Sequence, residues 1–174
     1  MEGLITAIFI LIYVGILVLL VVSMIFFALG LRRMSERADI KHTWLAWIPI
    51  FNYYLVGELA KDSPLIKSGK RFLAITLIGL GVTFTSIFAF QLVLDSQTPF
   101  AGVIGLFTWF ILYLIFIAYL WIGHYFLLAR YTKHALLLTL LSIFVSQLVL
   151  YFAVYALRDK PVLDQKDNKI QEEG

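Results

Sequence analysis

Residues 4–30 read LITAIFILIYVGILVLLVVSMIFFALG, a run of 27 without one Asp, Glu, Lys or Arg. About 20 apolar residues suffice for a helix to cross the ~30 Å hydrocarbon core of a bilayer, so this run can span with some tilt. A cleaved signal peptide is the competing reading, because Ala28-Leu29-Gly30 faintly resembles a small-residue cleavage site. Against it, the residues before the run carry Glu2 and no basic group. The run also far exceeds the apolar stretch of about 7–15 residues found in signal peptides. We therefore read it as a retained helix.

Working outward, residues 72–94, 103–129 and 135–157 repeat the pattern, and none of these runs carries a charged side chain. The whole chain of 174 residues is 61% apolar and 14% charged, with a mean hydropathy of +0.92. Soluble domains are roughly 45–50% apolar and about 25% charged. A water-soluble globule could not bury this much apolar surface, and a disordered chain would not carry it. The expected class is an all-α integral membrane protein with four transmembrane helices in a single domain over residues 1–157. A polar tail, expected to be disordered, fills residues 158–174. There are no cysteines, which excludes disulfides and Cys-ligated metals.

A fifth segment, residues 44–60, reads WLAWIPIFNYYLVGELA. Its 17 residues would reach only ~25 Å as a straight helix. Pro49 removes a backbone donor and clashes with the preceding turn, which predicts two short arms broken at Ile48-Pro49. Asn52 is placed to cap the second arm. Trp44, Trp47, Tyr53 and Tyr54 are amphipathic rings that suit headgroup depth. The segment is expected to be interfacial or re-entrant.

The net charge of +3 matters less than where Lys and Arg fall. Arg32, Arg33, Arg37 and Lys41 precede the short segment, and Lys61, Lys67, Lys70 and Arg71 follow it. Arg130 and Lys133 separate the third and fourth runs. Arg158, Lys160, Lys166 and Lys169 lie in the tail. Four crossings with the N-terminus outside put ten of these fourteen groups in the cytoplasm. Five crossings give at best eight against six. The positive-inside rule favours the first arrangement, with both termini outside and residues 95–102, which lack Lys and Arg, in an external loop. Arg158 and Lys160 then sit just past the fourth run on the outer side, the weak point of this topology. The basic loops face anionic lipid headgroups, and nucleic acid is not an expected partner.

The pattern W-x-A-W-I-P-x-x-N-x-Y-x-x-G-x-x-A is carried by Trp44, Ala46, Trp47, Ile48, Pro49, Asn52, Tyr54, Gly57 and Ala60. It resembles a motif in uncharacterised small multi-pass membrane proteins of Gram-positive bacteria. The resemblance covers about a tenth of the chain. It implies a bacterial cytoplasmic membrane and brings no activity or site residues with it.

Ionisable groups at membrane depth are expensive and are functional candidates for that reason. His124 is the clearest, on a helical stripe with Tyr113, Ile117, Trp121 and Leu128. It reads as a proton-handling or headgroup-binding histidine, or more plainly as a neutral ring bonded to its surroundings. Glu58 could pair with Lys61, or face a cavity and recognise a cation or amine. Gln147 stands near the middle of the fourth run, with Tyr151 and Tyr155 following and Ser142 and Ser146 beside them; Gln91 lies in the second. Thr76, Gly79, Thr83 and Ser86 form a small and hydroxyl seam suited to close helix contact with hydrogen bonds across it. No HExxH, GxSxG or phosphate-loop motif is present, and no two histidines have ligand spacing. No metal or cofactor is therefore expected.

These features favour a non-enzymatic accessory, assembly or scaffold subunit of a bacterial membrane complex, bound to another membrane protein or to copies of itself. The alternative is a small transporter, channel or lipid-handling protein with a polar cavity formed by residues 44–60 together with Asn52, Glu58, His124 and Gln147. An enzyme is the least supported reading, with His124, Glu58 and Asp62 as its sole candidate set.

Overall fold

The computed structural model describes residues 2–94 and 99–163. These residues form six α-helices and contain no strand. The helices are α1 (Glu2–Arg37), α2 (Asn52–Leu59), α3 (Gly69–Leu94), α4 (Pro99–Ala129), α5 (Ala135–Phe144) and α6 (Gln147–Leu157), and a 3-10 turn covers Thr43–Trp47. Two helical stretches are long and apolar enough to cross a membrane, Ile5–Arg37 and Phe107–Ala129. The external loop expected at 95–102 and the tail beyond residue 163 lie wholly or partly outside the described residues, as does the side chain of Gln91.

The chain divides into two compact units, where one domain was expected: Met1–Ile48 with Leu128–Gly174, and Pro49–Leu127. In the first unit α1 runs past Gly30, where the apolar run ends, as far as Arg37. Arg32 Nε meets Glu36 Oε1 at 2.8 Å, one turn apart, which supports the extension. The helix stops because Asp39 adopts the left-handed conformation with φ 52°. The amide of Ile40 donates to the Ser35 carbonyl at 3.0 Å, and that of Asp39 to Glu36 at 3.2 Å. This pair of bonds is a Schellman closure, with Asp at the position glycine usually takes.

Residues 135–157 are not one helix, and the expectation of a single fourth span is corrected. The run breaks at Val145 and Ser146. Ser146 is extended, and its hydroxyl accepts from the Leu148 amide at 3.2 Å, capping α6. A serine side chain offers its backbone this alternative to helix, and here the alternative wins. α5 and α6 pack on each other as a hairpin, each about 15 Å long.

α6 then lies along the second half of α1 and runs parallel to it. Phe27 meets Tyr151 with ring centroids 4.8 Å apart, and Phe26 meets Tyr155 edge-on at 4.6 Å. Gly30 allows the backbones to touch, since a Cβ there would stand 2.8 Å from the Tyr155 nitrogen. Beyond the helices, Arg33 Nε approaches Asp159 Oδ1 at 3.6 Å and Arg37 Nη1 donates to the Lys160 carbonyl at 3.5 Å. The Leu163 amide donates to the Arg130 carbonyl at 3.0 Å. The start of the tail is therefore ordered, and it sits at the same end of this unit as the loop after α4. The sequence reading, which has one helix over residues 135–157, does not foresee the hairpin.

In the second unit α2 packs on the start of α3. Gly57 and Gly69 let the two backbones close, and a Cβ on Gly57 would stand 2.5 Å from the Phe72 Cβ. Phe72 is fully buried, with its ring over Gly123 of α4. Farther along, Gly79 seats the Phe116 ring. The hydroxyl seam bonds within its own helix rather than across the contact. Thr76 donates to the Phe72 carbonyl at 2.9 Å and Thr83 to Gly79 at 2.8 Å. Back-bonding satisfies these hydroxyls within the helix.

Candidate functional site

The segment 44–60 folds as two arms, as its proline predicts, but the second arm is capped differently. The cap position of α2 is Phe51, no side chain caps it, and Asn52 is already the first helical residue. Trp44 and Trp47 are exposed, as are Pro49 and Phe51. Tyr54 is half-buried, and burial together with the neighbouring Glu58 carboxylate raises its phenol above the ordinary value. Gly57 is buried, and its role is the close approach to Phe72.

Glu58 does not pair with Lys61. Its Oε1 accepts from the Gly69 amide at 2.9 Å, across the turn that joins α2 to α3. Ser68 completes this end by accepting from the Arg71 amide at 3.3 Å. Two of the four free donors at the start of α3 are thus satisfied, one of them by a carboxylate placed at the positive end of the helix dipole. Ser68 before an apolar run is a legible cap signal. The long-range partner Glu58 is not.

His124 is buried in α4, 5% exposed. Its Nδ1 lies 2.8 Å from the Leu120 carbonyl, and a carbonyl only accepts, so Nδ1 carries the proton. The ring packs edge-on to Tyr53 at 5.9 Å and against Trp121 at 5.9 Å. Phe72 joins Tyr53 and Tyr119 at 6.1 and 5.1 Å. The second unit thus holds an aromatic cluster around a backbone-anchored histidine. Glu58 and Asn52 belong to this unit, whereas Gln147 belongs to the other. Gln147 is not mid-helix. It is exposed at the first position of α6, beside the break.

Between α3 and α4 lies an apolar groove of about 300 Å³, walled by Ile78, Thr83, Trp109 and Phe116. The Trp109 Nε1 is buried there without a partner among the described residues. In the first unit the Ser35 hydroxyl is likewise buried and unpartnered. Among the described residues no three His, Asp or Glu side chains come together as metal ligands.

The first unit also holds a pocket that the sequence did not announce. It has a volume of about 430 Å³ and is lined by Thr132, Lys133, His134 and Lys160, with Tyr131 and Pro161. Lys133 and His134 come from the loop before α5, Lys160 from the turn after α6, and the Leu163-to-Arg130 hydrogen bond ties the two together.

No protein-family model matches the chain, and no curated protein or solved structure matches it significantly.

Proposed function

We propose that the chain is a non-enzymatic multi-pass protein of the bacterial cytoplasmic membrane, acting as an accessory, assembly or scaffold subunit of a membrane complex. The observation that carries this reading is the break between α5 and α6. Irregular backbone at membrane depth is tolerated only against protein or a wet cavity. In the chain by itself Phe144 is 81% exposed and Val145 69%, with Gln147 exposed beside them. From Ile5 to Val22, α1 is exposed all round as well. A neighbouring subunit, or a second copy of the chain, supplies the missing cover. The bacterial membrane is taken from the resemblance of residues 44–60.

The topology proposed with this role has three crossings, α1, α3 and α4, and a re-entrant α5–α6 hairpin in place of a fourth. Its support is a parity argument. The end of α1, the loop after α4 and the turn after α6 share one end of the first unit, through Arg33–Asp159 and Leu163–Arg130. The chain between Arg37 and Arg130 then crosses an even number of times, which α3 and α4 supply. Residues 44–60 stay on their own side, and so does the hairpin. All fourteen Lys and Arg become cytoplasmic, and the weak point of the four-crossing arrangement disappears. The N-terminus is outside and the tail inside.

The alternative of a transporter or channel has less support. Glu58 and His124 each commit a polar atom to backbone, and Gln147 belongs to a different unit. The catalytic reading loses Glu58 as a free carboxylate for the same reason.

Purification from native membranes in a mild detergent tests the subunit role. The expected result is a complex larger than one chain and its micelle, with a stoichiometric partner or a homo-oligomer. A clean monomer with nothing co-purifying would overturn it.

A further inference from the structure

We infer that the pocket between the α4–α5 loop and the turn after α6 binds a phosphate-type anion, presented as the headgroup of an acidic phospholipid. Two lysines, Lys133 and Lys160, and the His134 imidazole converge on one cavity of about 430 Å³ from chain positions on either side of the hairpin. No carboxylate pairs with Lys133 or Lys160 among the described residues. The one described acid close in sequence, Asp159, is engaged by Arg33 and Arg158. Among the described residues, the ammonium groups that line this cavity therefore have no carboxylate partner.

The neutral groups around them fit the same ligand. The Thr132 hydroxyl accepts from the His134 amide at 3.2 Å, which leaves its own proton to donate outward. Tyr131 lines the cavity, and burial raises its phenol, outweighing the pull of Arg130 and Arg37. It stays a neutral donor and adds no negative charge. α5 starts at the cavity wall, and its cap residue His134 makes no side-chain cap bond. The first amides of a helix have no intrahelical partner, and with the helix dipole they favour an anion. Hydroxyl donors, two lysines without a carboxylate partner among the described residues and a helix start in one cavity describe an oxyanion site. Pro161 and Leu163 give it an apolar wall. That wall suits the glycerol and upper acyl carbons of a lipid better than a fully hydrated ion.

The lipid source rests on the membrane reading above, because the pocket lies at the basic end of the unit, where cytoplasmic headgroups would be. The phosphate chemistry does not rest on it. Free inorganic phosphate is the other source of the same chemistry.

The test uses full-length protein in a mild detergent, with phosphatidylglycerol and phosphatidylcholine added in equal amounts. Lipid adducts are counted by native mass spectrometry. The expected result is retention of phosphatidylglycerol over phosphatidylcholine by about tenfold, lost in the Lys133→Gln/Lys160→Gln double variant. The Lys133→Arg/Lys160→Arg variant should keep it, and Arg32→Gln, at an exposed cation bonded to Glu36, should leave it unchanged. All of these positions are exposed, and circular dichroism of each variant is the check that its helices are retained. Inorganic phosphate is titrated in parallel. Displacement of the lipid supports the site with free phosphate as a competing source. Retention of lipid in millimolar phosphate supports the headgroup as its occupant. Equal retention of the two lipids, or a Gln double variant indistinguishable from the parent, would overturn the proposal.

Discussion

Glu58 shows how a residue's chemistry can point in two directions until its partner is known. A carboxylate in a half-apolar segment invites a cation-binding reading. Its bond to the Gly69 amide makes it a structural cap on α3, reaching over eleven residues. Removing a cap of this kind costs about 1 kcal/mol. Glu58→Ala should therefore destabilise the start of α3 by about that amount, seen as faster hydrogen exchange at Gly69 to Phe72. Glu58→Gln keeps an acceptor oxygen and should lose less. Full loss of function in Glu58→Gln at unchanged exchange rates would restore the site reading. His124 follows the same logic, since its anchored Nδ1 and its aromatic neighbours give it a packing role that composition alone could not reveal.

At the scale of elements, the contact between α1 and α6 is the one that organises the first unit. Gly30 is its closest point, with the Tyr155 backbone where a Cβ would stand. Gly30→Ala should force the helices apart and cost about 1–3 kcal/mol. The readout is the midpoint of thermal unfolding in detergent, and an unchanged midpoint would mean the helices do not meet here. The apolar runs and the proline break at residue 49 were legible because length and missing backbone donors leave marks in sequence. The break at Ser146 was not, for it involves neither proline nor glycine. SIFVSQ reads as continuous apolar helix, and only the extended Ser146 backbone and its cap on Leu148 reveal a turn. The extension of α1 to Arg37 was hidden for a related reason, since the left-handed residue that ends it is Asp39. The pocket was illegible too, because Lys133 and Lys160 meet only once the hairpin exists.

For the whole molecule, charge counting and the contacts of the first unit both support the proposed topology. Counting alone puts ten of fourteen basic groups on one side, and in the first unit Lys160 lies at the same end as the loop after α4. The chain has no cysteine, so single-cysteine labelling has no background. Lys133→Cys and Lys160→Cys should both react with an impermeant maleimide from the cytoplasmic face, and Gly3→Cys from the outer face. Labelling of Lys160→Cys together with Gly3→Cys would return the fourth crossing. Two helices long enough to span do not by themselves decide such a question, and the labelling pattern does.

The parallel contact of α6 with α1 also sets a timetable. Arg37 and the Lys160 carbonyl are 123 residues apart in the chain. Ribosomes add about 5–20 residues per second, so the inner half of α1 waits roughly 6–25 s for its permanent neighbour. During that interval Gly30, Phe26 and Phe27 lack the α6 surface on which they pack. A chain built this way closes the basic end of its first unit last, when the turn after α6 arrives, so loss of residues 159–163 would leave the end of the first helix without its partners.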